Sequence, residues 1–156
     1  MNKRMTFVGR LAMAVVLSVC FHRTAAAENG TVAASNVGVF DVDTLLLDYP
    51  LSAGQPMRTD QIARDSLSSM HLTQIRGAIE SHRHLTHDEN IWVIRGAGRL
   101  TIDGVKHKVS AGQVIHIPRG ISHAFHNMGS KPTVVISVFS PGFDGKDRIY
   151  DNPPPR

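Results

Sequence analysis

The sequence predicts an all-β domain, a sandwich or barrel of short antiparallel strands. Three observations lead there. β-branched and apolar runs recur from Leu67 onward, Gly, Pro, Asp and Asn interrupt them at short intervals, and no stretch carries a convincing amphipathic helical period.

Taken in order, Val37 to Leu47 reads as a first strand, with a short helix as the alternative because of its leucine run. Asp48 to Asp65, with Pro50, Gly54 and Pro56, reads as a loop. The β pattern returns from Leu67 to Arg76. His82 to His84 lies on or beside a strand, Ile91 to Arg95 is β-rich, and Arg99 to Ile102 alternates apolar with polar residues. Asp103-Gly104 is a hairpin turn, since a two-residue turn demands positive φ and this pair tolerates it. Val105 to Val109 is the return strand, Ala111-Gly112 turns the chain, and Gln113 to Ile117 is the next strand, interrupted by Pro118-Arg119-Gly120. Ser122 to His126 follows, then a turn from Asn127 to Pro132 and a β-branched strand from Thr133 to Phe139. Pro141 to Arg156 reads as a tail that either wraps the domain or stays mobile.

The beginning of the chain has a different character. Lys3, Arg4 and Arg10 precede an apolar run from Leu11 to Phe21, and Ala25-Ala26-Ala27 supplies small residues before Glu28. This is the pattern of a secretory signal peptide over residues 1–27. The run is about half the ~20 residues a bilayer span needs, and Val19 before Cys20 is too bulky for a lipoprotein site. The expected location is therefore periplasmic or secreted. Cleavage would remove four of the 17 Lys and Arg, leaving 13 against 13 Asp and Glu, so the excess positive charge belongs to the targeting segment. Nothing in the remaining charge argues for nucleic acid or for an anionic membrane. Cys20, the only cysteine, would leave too, so thiolate and disulfide chemistry are excluded from the mature chain. Residues 28–36 form a small, polar spacer, 37–140 the folded domain and 141–156 the tail.

Histidines and acids concentrate in two patches. The first holds His82, His84, His87 and Glu89, with Gly77 before them and Gly96 after; the second holds Gly112, Pro118, Gly120, His123 and Asn127. His82 and His84 are two apart and so project from one face of an extended strand. Glu89 can reach across from the next strand, and His123 comes from another hairpin. Three imidazoles and a carboxylate make a ligand set for one divalent transition metal with room left for water or substrate. Without a metal, their burial would carry a large desolvation cost.

These two patches resemble the paired signature of the cupin superfamily, over roughly the last two-thirds of the chain. One departure is that only four residues separate Gly77 from His82, one fewer than that pattern has. The resemblance implies a jelly-roll β-barrel with His82, His84, Glu89 and His123 holding the metal in the barrel mouth. It also implies a homodimer. The reaction favoured is oxidative cleavage of a small oxygen-rich molecule of enolate, dicarbonyl or flavonol type by a dioxygenase, with Glu89 as ligand and base. Decarboxylation, elimination or isomerisation of a small acid is the alternative, and non-catalytic binding of a metal or small molecule a third. Fold and ligands do not choose among them. The metal would be Cu, Ni, Zn, Fe or Mn, with the affinity order favouring the first three outside the cytoplasm, and binding should weaken below about pH 6 as the histidines protonate.

The remaining polar residues carry narrower expectations. His87 is a candidate acid/base group or further ligand, otherwise an exposed loop residue. His126 should face away from His123, His116 has either face open to it, and His71 and His107 read as surface residues. Ile91 and Val93 should line the interior with Glu89. Trp92 should then point the opposite way, between sheets or against a second subunit, while Phe125 narrows the cavity. Arg76 and Arg95 are candidates to hold a substrate carboxylate, or else ordinary exposed arginines.

Overall fold

In the computed structural model residues 38–152 are described. The segment read as a signal peptide and spacer, residues 1–36, and Pro153-Pro154-Pro155 lie outside them. A short helix, α1 (Val42–Asp48), precedes strands β1 (Met57–Arg64), β2 (Ser69–Ile75), β3 (Ala78–Arg83), β4 (Asp88–Arg95) and β5 (Ala97–Ile102). β6 (Val105–Ser110), β7 (Val114–Ile117), β8 (His123–Asn127), β9 (Thr133–Ser140) and β10 (Ile149–Tyr150) complete the chain. They form two five-stranded antiparallel sheets, ordered β1-β2-β9-β4-β7 and β10-β3-β8-β5-β6. This is the predicted all-β jelly roll. Among the described residues no helix is long and apolar enough to cross a membrane.

The facing sides of the sheets meet in an apolar cluster of Ile75, Val93, Leu100, Val109, Phe125 and Val135. Gly98 on β5 makes that meeting possible, since a Cβ there would lie 2.2 Å from the Phe125 ring and 2.7 Å from the His126 carbonyl. The predicted hairpin is also present, with φ of 46° at Asp103 and 78° at Gly104, as a two-residue turn between twisted strands requires.

Three departures from the sequence reading have identifiable causes. Val37 to Leu47 holds the helix rather than the strand: Asp41 caps it by accepting from the Thr44 amide at 2.8 Å, and Leu45 packs outside the first sheet on Ile62, Leu72 and Val134. Much of the predicted loop from Asp48 to Asp65 is strand β1. As an edge strand it buries only Asp60 and Ile62 and therefore lacks the apolar alternation that marks a strand. The Asp60 carboxylate can be buried because the Arg58 fork binds both its oxygens at 2.8 Å. Trp92 does face away from the interior, but it is 41 % exposed on the outer side of β4 and lies between no sheets.

The tail takes the first of the two courses open to it and wraps the domain. Its described part packs on the barrel. β10 pairs with β3 through Ile149 with Arg83 and Tyr150 with His82, Phe143 is buried, and the Asp151 carboxylate accepts from Ser81 and Ser122.

Candidate metal centre

β3 and β8 pair antiparallel with His82 opposite His123, so the ladder brings the two imidazoles together, with ring centroids 4.2 Å apart. His84 lies two residues on, on the same side, with its ring 5.2 Å from His82 and 5.5 Å from His123. Nitrogens of the three lie within 4.8 Å of one another, and all three residues are buried. Glu89 enters from the opposite sheet on β4. Its Oε2 is 3.3 Å from His123 Nε2 and 3.8 Å from His84 Nε2.

Each imidazole is oriented by a main-chain carbonyl. Nδ1 of His82 donates to Glu80 O at 2.8 Å, that of His123 to Ile121 O at 3.0 Å, and that of His84 to Asp147 O. Donation from Nδ1 leaves the Nε2 lone pair free and aimed inward, the tautomer a metal ligand requires. Nε2 of His84 and of His123 is buried without a hydrogen-bond partner among the described residues. Unpartnered buried nitrogens of this kind are costly in an apolar barrel, and a divalent metal would satisfy them together. The donor set therefore fits a metal.

Electrostatics agree with neutral His82 and His84 and an ionised carboxylate. Burial, and then His123 next to it, pushes His82 down to about 4, and burial also lowers His84. Burial alone would raise the Glu89 carboxyl, but His123, Ser137 and His84 hold it below its ordinary value.

The site opens into a cavity of about 70 Å³, lined by His82, Glu89 and His123 and by apolar side chains including Ile91, Val93 and Phe125. The inward placement of those last three is as predicted. His126 faces outward, also as predicted, and so does exposed His107. One residue, His71, stands elsewhere than expected, and three that had two alternatives open take the one away from the cavity. His116 takes the outer of the two faces left open to it, exposed and bonded to Asn90 at 2.9 Å. His71, read as a surface residue, is buried and lines the cavity, its ring edge-on to Phe139 and its Nε2 2.9 Å from Ser69 Oγ; burial takes it down to about 4. Arg76 bonds to the carbonyls of Ser52 and Gln55 away from the cavity, and Arg95 pairs with Asp43 on the surface.

His87 is not an exposed loop residue. It is buried, packs edge-on against Phe143 and bonds through Nδ1 to Asp147 Oδ2 at 2.6 Å, outside the lining of the cavity. Asp147 is the residue sequence reasoning missed. Its carboxylate also accepts from the Leu85 amide at 2.9 Å, the Thr86 amide at 2.8 Å and the Thr86 hydroxyl at 2.7 Å, while its carbonyl orients His84. Burial works against its ionisation, but the bonds from His87, Thr86 and Leu85 outweigh it and hold the carboxyl well below the usual range. The only sequence signal was an aspartate in a polar tail.

Residues 70–139 match the family model of the cupin domain. The chain is a member of the cupin superfamily. Within this cupin, the family's closing asparagine is structural. Asn127 donates to the carbonyls of Arg76, Gly129 and Lys131 and accepts from Thr133, tying the turns at one end of the barrel. An uncharacterised protein of Aquifex aeolicus is 36 % identical over 81 residues, 52 % of this chain and 66 % of the relative. The cupin spans between about half and two-thirds of the length of the curated relatives it matches first. Among solved structures, a Klebsiella pneumoniae protein with a double-stranded β-helix domain superposes with a TM-score of 0.59 at 24 % identity, covering 69 % of this chain and 92 % of that one. KdgF from Halomonas sp. superposes with a TM-score of 0.55 at 23 % identity, covering 60 % and 86 %. These likenesses establish the fold.

Proposed function

We propose that this cupin is an exported, metal-dependent enzyme acting on a small oxygen-rich organic molecule, with oxidative cleavage as its reaction. The observation that carries the reading is the set of inward-facing, unpartnered imidazole nitrogens beside an ionised Glu89, at one end of an apolar cavity with space left over. His82, His84, His123 and Glu89 would hold the metal. When bound, it would supply Lewis-acid polarisation of substrate oxygens and, if redox-active, reaction with O₂.

The chain's own residues divide the remaining work. Ile91, Val93 and Phe125 exclude water, which strengthens every charge interaction inside. Glu89 Oε2 stands beside the space left for substrate and can take a proton from an enol or hydroxyl there, while Ser137 holds the carboxylate in place. A cavity of about 70 Å³ admits a small organic group. Anything as large as a flavonol would extend into the outer groove of about 630 Å³ at the mouth. Export rests on the basic and apolar composition of residues 1–27.

The test is elemental analysis of the protein from the exported fraction, followed by oxygen uptake against a panel of enols, diketones, flavonols and hydroxy acids. A stoichiometric redox metal with substrate-dependent oxygen consumption supports the reading. A stoichiometric metal without oxygen uptake shifts it to decarboxylation, elimination or isomerisation of a small acid, or to binding alone, and protein found only in the cytoplasm removes export.

A further inference from the structure

The cavity has one permanent cation in its lining. Among the described residues that line it, Arg148 is the only arginine or lysine. Its Nε is buried and meets no hydrogen-bond partner among the described residues. Arg58, Arg83, Arg95 and Arg119 each pair with an aspartate, whereas Arg148 forms no ion pair among the described residues.

The chain on both sides of Arg148 is pinned. Asp147 before it is bonded to residues 85–87 and to His84, and Ile149 and Tyr150 after it pair with β3. The side chain belongs to the lining of both the inner cavity and the outer groove, as do Thr59, His71 and Phe143. These four residues mark the neck between the two spaces.

A guanidinium with an unsatisfied, buried Nε–H is costly in an apolar wall, and its fork of parallel donors matches a carboxylate. Charge count points the same way. Against the single carboxylate of Glu89, a divalent metal and Arg148 leave the pocket positive, so it favours an anion over a neutral molecule. We propose that Arg148 anchors the carboxylate of a small organic acid whose other oxygens face the metal ligands. This rests on the metal-site reading above and narrows its substrate class from oxygen-rich molecules in general to carboxylates. It also gives the anchoring role to an arginine of the tail, where the sequence offered Arg76 and Arg95.

The experiment is calorimetric titration of the full zinc-loaded protein with malonate and with its neutral diamide, repeated on chelator-stripped protein. Malonate should bind the zinc form, and Arg148→Gln should weaken it by about tenfold to a hundredfold at unchanged zinc content. Arg148→Lys, which keeps the charge but loses the fork, should fall between, and the diamide should bind weakly and without regard to residue 148. Residual malonate binding to stripped protein should likewise depend on Arg148. Equal malonate affinity in wild type and Arg148→Gln, a diamide that binds as tightly as malonate, or no malonate binding at all would overturn the proposal. If Arg148→Gln does not fold, the malonate–diamide comparison on wild type and Arg148→Lys decides. Arg148-dependent malonate binding, with no oxygen uptake across the substrate panel by protein loaded with a redox metal, would sink oxidative cleavage and leave this anchor standing. Oxygen uptake on a neutral substrate with malonate binding indifferent to Arg148 would do the reverse.

Discussion

The two sides of the cavity are built by different means. On the ligand side, His82 and His123 face each other across a β ladder, and their Nδ1 atoms bond to carbonyls two residues away in the chain. On the tail side, Phe143, Asp147 and Arg148 come from a segment with only a two-residue strand, held by side-chain bonds that span about sixty residues of sequence. The first side is local and repetitive; the second depends on a few carboxylate contacts. His84 belongs to both, because it directly follows the end of β3 and its Nδ1 is held by the Asp147 carbonyl. The pocket is therefore complete only when the tail is seated, and the Asp147 side-chain contacts can be removed without removing a hydrogen bond of the β3–β8 ladder.

The largest effect should come from breaking the ligand side. His82→Ala or His84→Ala should lower metal affinity by more than about a hundredfold, read by competition with a chromogenic chelator, since one of a small set of ligands is gone. Retention of full affinity would remove that residue from the centre. Next comes the junction. Asp147→Ala leaves the His82 and His123 carbonyl bonds untouched but releases residues 85–87, and should cost about tenfold to a hundredfold in metal affinity, as loss of an orienting partner does. Its melting temperature should fall as well. An effect as large as that of a ligand substitution would show that the two sides are not separable.

Acid should act on both sides together. His71 and His82 titrate near 4 in the folded chain because they are buried, against about 6.5 when unfolded. Between those values the unfolded state holds more protons, so the contribution is intact above about pH 6.5 and is lost as pH falls toward 4. Metal-free protein should melt on the order of 10–20 °C lower at pH 4.5 than at pH 7; a flat profile would mean that these histidines are not buried neutral. The smallest effect belongs to the surface. Arg119 binds both oxygens of Asp88 in the open, so Arg119→Ala should leave metal affinity and melting temperature within experimental error.

The same contrast explains what could be read without a structure. Strand alternation and ligand chemistry are local, so His82, His84, Glu89 and His123 were legible, as were the Asp103-Gly104 hairpin and the strands on either side of it. β1 was not, because an edge strand burying an aspartate against an arginine carries no apolar period. β2 is buried almost throughout, which erased the alternation that would have turned His71 inward. The tail was least legible of all: Asp147 and Arg148 lie among Gly, Lys and Asp, and their importance arises from partners that only the folded chain brings near.

The central claim is that the inward nitrogens hold one metal ion, and counting metal tests it most directly. Protein purified without added metal or chelator, and analysed by mass spectrometry of the elements, should carry up to one transition-metal ion per chain and take up one equivalent of cobalt with visible d–d bands after stripping. His123→Ala should lose both signals. A wild-type protein that carries no metal and takes up no cobalt, or a His123→Ala variant that binds as wild type does, would contradict the account.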